Sequence, residues 1–160
     1  MDDAAVRWVT RRRVEFVETD AAGIVHFSSF FIYMEQAEHE LLRHLGLKVF
    51  LDDELGRISW PRVSASCDYQ GPARFEDELT IEVAVHRVGQ KSVTYEHRMS
   101  CGDRSIATGR MTVVCCRLHP GQPPQPILIP SPIAAILRGQ ASPSPEDSQP
   151  KASDPFSDRA

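Results

Sequence analysis

The hydrophobic period of this chain changes once, and that change restricts the folds open to it. Between residues 29 and 45 the apolar side chains Phe30, Phe31, Met34, Ala37, Leu41, Leu42 and Leu45 recur in steps of three and four. That spacing predicts one amphipathic helix. Glu35, Gln36, His39, Glu40 and Arg43 fall mostly off the stripe, and Gly46 supplies a C-terminal stop. Beyond a loop the period drops to two. Val63, Ala65, Cys67 and Tyr69 alternate with polar residues, as do Ile81, Val83 and Val85, then Val93, Tyr95, His97 and Met99. Residues 106–116 form a longer run rich in β-branched side chains. Turn-like pieces, QGPARFED, VGQK and CGDR, join these four strands. Pro61 limits the first of them to a sheet edge or a strand start. Residues 14–17 read as a short fifth strand behind a basic, exposed leader. The expected architecture is α+β, a strongly curved antiparallel sheet with the helix stripe against its concave face. One helix cannot cover long strands completely, so a dimer is expected to finish the burial.

The chain has 160 residues, 41% hydrophobic and 25% charged, enough for one domain with a real core. Residues 1–138 are read as that single domain. From Gly139 the composition turns to Ser, Pro, Asp and Gln, and residues 139–160 read as a disordered tail. The stretch IPSPIAAILRG just ahead of it is read as one short helix. A formal net charge of -4 argues against general nucleic-acid binding. No apolar run approaches spanning length, and the N-terminus lacks the apolar stretch of a signal peptide. The four cysteines, Cys67, Cys101, Cys115 and Cys116, include no C-x-x-C pair and read as buried free thiols of a cytoplasmic protein.

Common catalytic signatures are absent: no G-x-S-x-G elbow, no phosphate-binding Gly-rich loop, no dinucleotide fingerprint. HELLRH places His39 and His44 five residues apart, roughly 140° around a helix, so they do not form the H-E-x-x-H zinc pair. No metal site is expected.

VETDAAGIVHFSSFF, residues 17–31, carries the chemistry that remains. Asp20 lies too early to cap the helix, since Ser28 and Ser29 stand closer to its start. A small-residue loop follows, and Gly23 opens backbone conformations that other residues resist. The chain then enters a helix whose first N–H groups lack internal partners and carry partial positive charge. A carboxylate and a backbone oxyanion site are the two halves of acyl-transfer chemistry. Equally, Asp20 could cap its own loop or pair with one of Arg11, Arg12 and Arg13, and His26 could be a satisfied loop histidine.

The segment ETDAAGIVHFSSFFIYMEQAEHELLRHLG resembles the signature of the 4-hydroxybenzoyl-CoA thioesterase family, in the branch that includes the Tol-Pal-associated thioesterases. YQGPARFEDELTIEVAVHRVGQKSVTYEH resembles the family's later strands, so the likeness covers roughly residues 14–118. It implies a hotdog fold, a curved antiparallel sheet wrapped around one long central helix, assembled as a homodimer or homotetramer with sites at the dimer interface. It further implies an acyl-CoA thioesterase with Asp20 as nucleophile or general base and the Phe27 backbone N–H as oxyanion donor. Gly23 would hold the loop between them and His26 would line the pocket. Arg87, Lys91 and Ser92, around the turn RVGQKS, are the candidates for binding coenzyme A, with Arg74 and Arg110 behind them. No resident cofactor is implied, because coenzyme A is part of the substrate; the carrier is coenzyme A or an acyl-carrier protein. Phe27, Phe30, Phe31, Tyr33, Trp60 and Tyr69 are either pocket or core. Two other readings stand beside this one. A hotdog hydroxyacyl-thioester dehydratase would pair His26 with Glu35 or Glu38. A non-catalytic adaptor would bind acyl-carrier protein without turnover.

Overall fold

The computed structural model describes residues 6–142. Its main sheet has five strands: β1 (Arg7–Arg13), β4 (Arg62–Tyr69), β5 (Glu78–Val88), β6 (Ser92–Cys101) and β7 (Arg104–Val114). They run in the order β1-β5-β6-β7-β4, every pair antiparallel. A smaller sheet holds β2 (Leu51–Asp53), β3 (Gly56–Ser59), β8 (Cys116–Leu118) and β9 (Gln125–Pro126). Among the described residues there are two α-helices, α1 (Ser29–His44) and α2 (Ser131–Leu137). Tail residues 143–160 lie outside the described residues.

Alternation in β5 and β6 is realised as read. Leu79, Ile81, Val83, Val93, Tyr95, Met99, Ile106, Met111 and Val113 are buried, and against them α1 lays Phe30, Tyr33, Met34, Ala37 and Leu41. Burying such side chains, each worth about 1.5–3 kcal/mol, holds helix to sheet. Gly46, at φ 69°, ends α1 in the left-handed conformation that glycine tolerates. Gly109 in β7 lies under α1. A Cβ there would overlap Met34 Sδ and stand 3.2 Å from the Ser66 carbonyl oxygen. Gly109→Ala is therefore expected to cost about 1–3 kcal/mol by overpacking, read as a lower urea midpoint with an unchanged slope.

The structure corrects the reading at the N-terminus. The strand is the basic leader itself, β1, and residues 14–17 leave it for a 3₁₀ turn at Phe16–Glu18. Trp8, Thr10 and Arg12 are half-buried while their neighbours are exposed. Arg12 can sit on that inner row because Gln36 and Glu18 accept from its two terminal nitrogens, although Nε is buried without a partner. Val14 is buried, but Phe16 and Val17 are 73% and 88% exposed, so the apolar run has no buried face of its own.

Strand β4 is an edge, as Pro61 demands. Its apolar row is not covered: Val63 is 61% and Tyr69 48% exposed. All four cysteines are free; Cys115 and Cys116 are buried, and Cys67 and Cys101 half-buried. No helix among the described residues is long and apolar enough to cross a membrane.

Candidate active site

The segment from Glu18 to Ser29 is closed on itself by backbone. Thr19 and Val25 form an antiparallel bridge. Asp20 N–H donates to the Ile24 carbonyl at 2.9 Å, and Gly23 N–H donates to the Asp20 carbonyl at 2.9 Å. Val25 N–H reaches the Ala73 carbonyl at 2.8 Å, which ties the loop to the approach of β5. Gly23 stands at φ 73°. A Cβ there would meet only Arg74 Nη1, at 4.0 Å, so space is not the obstacle; the left-handed backbone is. Gly23→Ala is expected to cost about 1–2 kcal/mol, measured by denaturant unfolding.

Within this loop the Asp20 carboxylate accepts the Ala22 N–H at Oδ1, 2.8 Å. Among the described residues it has no other hydrogen-bond partner. The three arginines that could have claimed it are paired elsewhere: Arg11 with Glu78, Arg12 with Glu18 and Arg13 with Glu76. So Asp20 caps its loop with one oxygen and leaves the other open.

The helix entrance follows. His26 N–H donates to the Glu18 carbonyl at 2.8 Å. Ser28 occupies the N-cap position of α1 but makes no side-chain cap bond. Its hydroxyl instead meets His26 Nδ1 at 2.7 Å, and its N–H reaches the same nitrogen at 3.3 Å. A backbone N–H can only donate, so Nδ1 is the acceptor and the neutral ring carries its proton on Nε2. The Phe27 N–H has no partner among the described residues, while its carbonyl accepts the Tyr69 hydroxyl at 2.9 Å. The Phe27 side chain is 62% exposed and its ring lies 4.5 Å from that of His26. Asp20, Gly23, His26 and Phe27 thus stand on one short segment that backbone hydrogen bonds clamp.

Arg74 belongs to the same neighbourhood, with Nη1 donating to the Gly23 carbonyl at 3.5 Å. The other predicted binding residues do not. Arg87, Lys91 and Ser92 sit at the β5–β6 turn, the far end of β5 from Ala73, roughly 30 Å away at strand rise. The Lys91 carbonyl there accepts the Cys115 N–H at 2.7 Å. Arg110 is paired with Glu96 in the middle of β7. Phe30 and Tyr33 are core, Phe31 and Trp60 are half-buried, and Tyr69 is a loop anchor as well as an edge residue. Glu35 and Glu38 are both held by Arg62, at 3.2 and 2.6 Å. Burial pushes the Glu38 carboxyl up against the opposing pull of Arg62.

Sequence reasoning missed Glu18 and gave two others the wrong partners: Arg12 pairs with Glu18 rather than Asp20, and the Ser28 hydroxyl meets His26 rather than capping the helix. Glu18 Oε1 accepts from Arg12 at 2.6 Å, and Oε2 accepts the Tyr33 hydroxyl at 2.7 Å and the Glu15 N–H at 2.8 Å. The available signal was Arg12, an arginine on the inner row of an alternating strand, which requires an acid nearby.

A helix packed against a five-stranded antiparallel sheet is an α+β arrangement of the hotdog type. The comparisons agree. Residues 14–149 match the family described as the thioesterase-like superfamily. The 1,4-dihydroxy-2-naphthoyl-CoA hydrolase of Synechococcus elongatus is 30% identical over 107 residues, 66% of this chain and 78% of that protein. The acyl-CoA thioester hydrolase YbgC of Escherichia coli is 25% identical over 118 residues, 72% of this chain and 84% of that protein. Among solved structures, a gentisyl-coenzyme A thioesterase superposes with a TM-score of 0.69 at 28% identity, over 81% of this chain and 99% of that one. A 1,4-dihydroxy-2-naphthoyl-CoA thioesterase from Synechocystis, 22% identical, shares the fold at a TM-score of 0.73, over 82% of this chain and 95% of that one. The chain belongs to the thioesterase-like superfamily and is a thioester hydrolase.

Proposed function

We propose that this enzyme hydrolyses acyl-CoA thioesters to free acid and coenzyme A, with Asp20 as nucleophile or general base and the Phe27 N–H as oxyanion donor. One observation carries the reading: a carboxylate oxygen and a backbone N–H, both without partners among the described residues, lie on the same clamped segment. As nucleophile, Asp20 adds to the thioester carbonyl, the C–S bond breaks, and the thiolate leaves. Water then hydrolyses the mixed anhydride and restores the carboxylate. As base, Asp20 takes a proton from the attacking water, and that proton passes to the departing thiolate. In both courses negative charge gathers on the carbonyl oxygen, and in this reading the Phe27 N–H donates to it. His26, with Nε2–H as its donor, lines the acyl side.

In this reading residues 1–138 are one hotdog thioesterase domain, α1 is its central helix and residues 139–160 are a tail. The uncovered β4 edge meets a second copy, giving a homodimer or a larger homo-oligomer. Arg87, Lys91 and Ser92 contact the nucleotide end of coenzyme A in a neighbouring copy's site. The dehydratase reading has less support, because Arg62 occupies Glu35 and Glu38 while His26 is bonded to Ser28.

The test is thiol release from a panel of aromatic and aliphatic acyl-CoAs, run beside the same acyl groups on acyl-carrier protein. Turnover of an acyl-CoA supports the reading and its best substrate names the acyl class. Turnover of the carrier-protein series alone corrects the carrier. Binding without turnover in either series overturns hydrolysis and favours the adaptor.

A further inference from the structure

Two residues before Asp20, Glu18 joins three parts of the fold. Its carboxylate holds Arg12 of β1 and Tyr33 of α1, and closes the 3₁₀ turn through Glu15 N–H. Its carbonyl accepts the His26 N–H at 2.8 Å and the Ser29 hydroxyl at 3.2 Å. One residue therefore fixes where the loop leaves the sheet and where it enters the helix. The remaining contacts stiffen the same point. Arg12 also donates to Gln36, and its guanidinium lies 4.9 Å from the centre of the Tyr33 ring. Burial pushes the Glu18 carboxyl up, but hydrogen bonds from Arg12, Tyr33 and Glu15 outweigh it and hold the group below its ordinary range. Burial, then the Glu18 charge, pushes the Tyr33 phenol up. Near neutral pH this is a fixed carboxylate with both oxygens engaged, unsuited to carrying a proton in the reaction.

We infer that Glu18, with Arg12 and Tyr33, is a positioning residue that sets Asp20 and the Phe27 N–H relative to one another. The inference rests on the thioesterase reading above. A displacement of about 1 Å at such a loop is enough to cost on the order of a hundredfold in rate without touching the reacting groups.

The experiment compares Glu18→Gln and Tyr33→Phe with the parent enzyme, each also combined with Asp20→Asn. Tyr33→Phe removes a single hydroxyl and keeps the ring in the core, so it reports even if Glu18→Gln fails to fold. The expected result is a fall in kcat of roughly tenfold or more with KM within about twofold, and little further loss in the Asp20→Asn background. Faster amide exchange at His26 and Gly23, with β6 amides unchanged, should accompany it. Parent-like kcat in Tyr33→Phe together with parent-like exchange at His26 overturns the inference while leaving the thioesterase reading intact. Losses that multiply with Asp20→Asn also overturn it, because Glu18 would then act independently of the carboxylate. Should the parent release no thiol, the hydrolytic reading fails, and this inference fails with it.

Discussion

Asp20→Asn is expected to lower kcat for thioester hydrolysis on the order of a thousandfold while leaving the fold in place. The asparagine side-chain oxygen can still accept the Ala22 N–H that Asp20 Oδ1 accepts at 2.8 Å, so the loop keeps its closure. What disappears is the carboxylate charge, and with it the nucleophile or general base proposed above. Losses of that size are usual when one charged or oxyanion-stabilising group is withdrawn from a preorganised site. Thiol release by parent and variant, alongside their melting curves, checks the prediction. Near-parent turnover from a folded Asp20→Asn enzyme would reduce Asp20 to a loop cap.

The second large effect is on stability and is set by pH. His97 lies on β6, 1% exposed, with Nε2 at 3.1 Å from the Met34 carbonyl of α1 and Nδ1 buried without a partner. Burial pushes its pKa down to about 4, and the Arg62 charge adds to this against the bonds to backbone. The unfolded chain binds a proton on this ring near pH 6.5, well before the folded protein does. Stability is therefore unaffected by His97 above about pH 6.5 and falls as the pH drops toward 4. The loss approaches on the order of 3 kcal/mol. Urea unfolding at intervals between pH 7 and 4 should show that decline. His97→Gln, whatever its stability at pH 7, should flatten it. An equally steep decline in the variant would assign it to other groups.

The same histidine shows what could be read from sequence. The alternation Val93, Tyr95, His97, Met99 put it on the apolar face, and it is there, because period-two patterning depends only on neighbouring side chains. Helix α1 was legible for the same reason, from Ser29 to the stop at Gly46. At β1 the pattern misled. Arginine in the inward row reads as an exposed leader until its acid is found, and Glu18 lies six residues away across a turn that sequence spacing does not draw. In the candidate site, Asp20 and Gly23 were visible because loop chemistry needs those residue types locally. The distance between that loop and the turn holding Arg87 and Lys91 was not visible. It follows from the run of β5, along which the two ends of one strand face opposite ends of the sheet.

Strand β4 has a consequence for handling and for evolution. An isolated copy would present the backbone of RVSASCDY with no lysine, no internal proline and only Arg62 and Asp68 as charges. Natural sheet edges left in water usually carry such guards against indiscriminate strand addition. In the homo-oligomer proposed above, a second copy would take over that protection. If that assembly forms, substitutions on this strand that weaken it should lead to precipitation and aggregated strands rather than to a well-behaved lone subunit. In that assembly, selection on this strand would act on solubility as well as on chemistry.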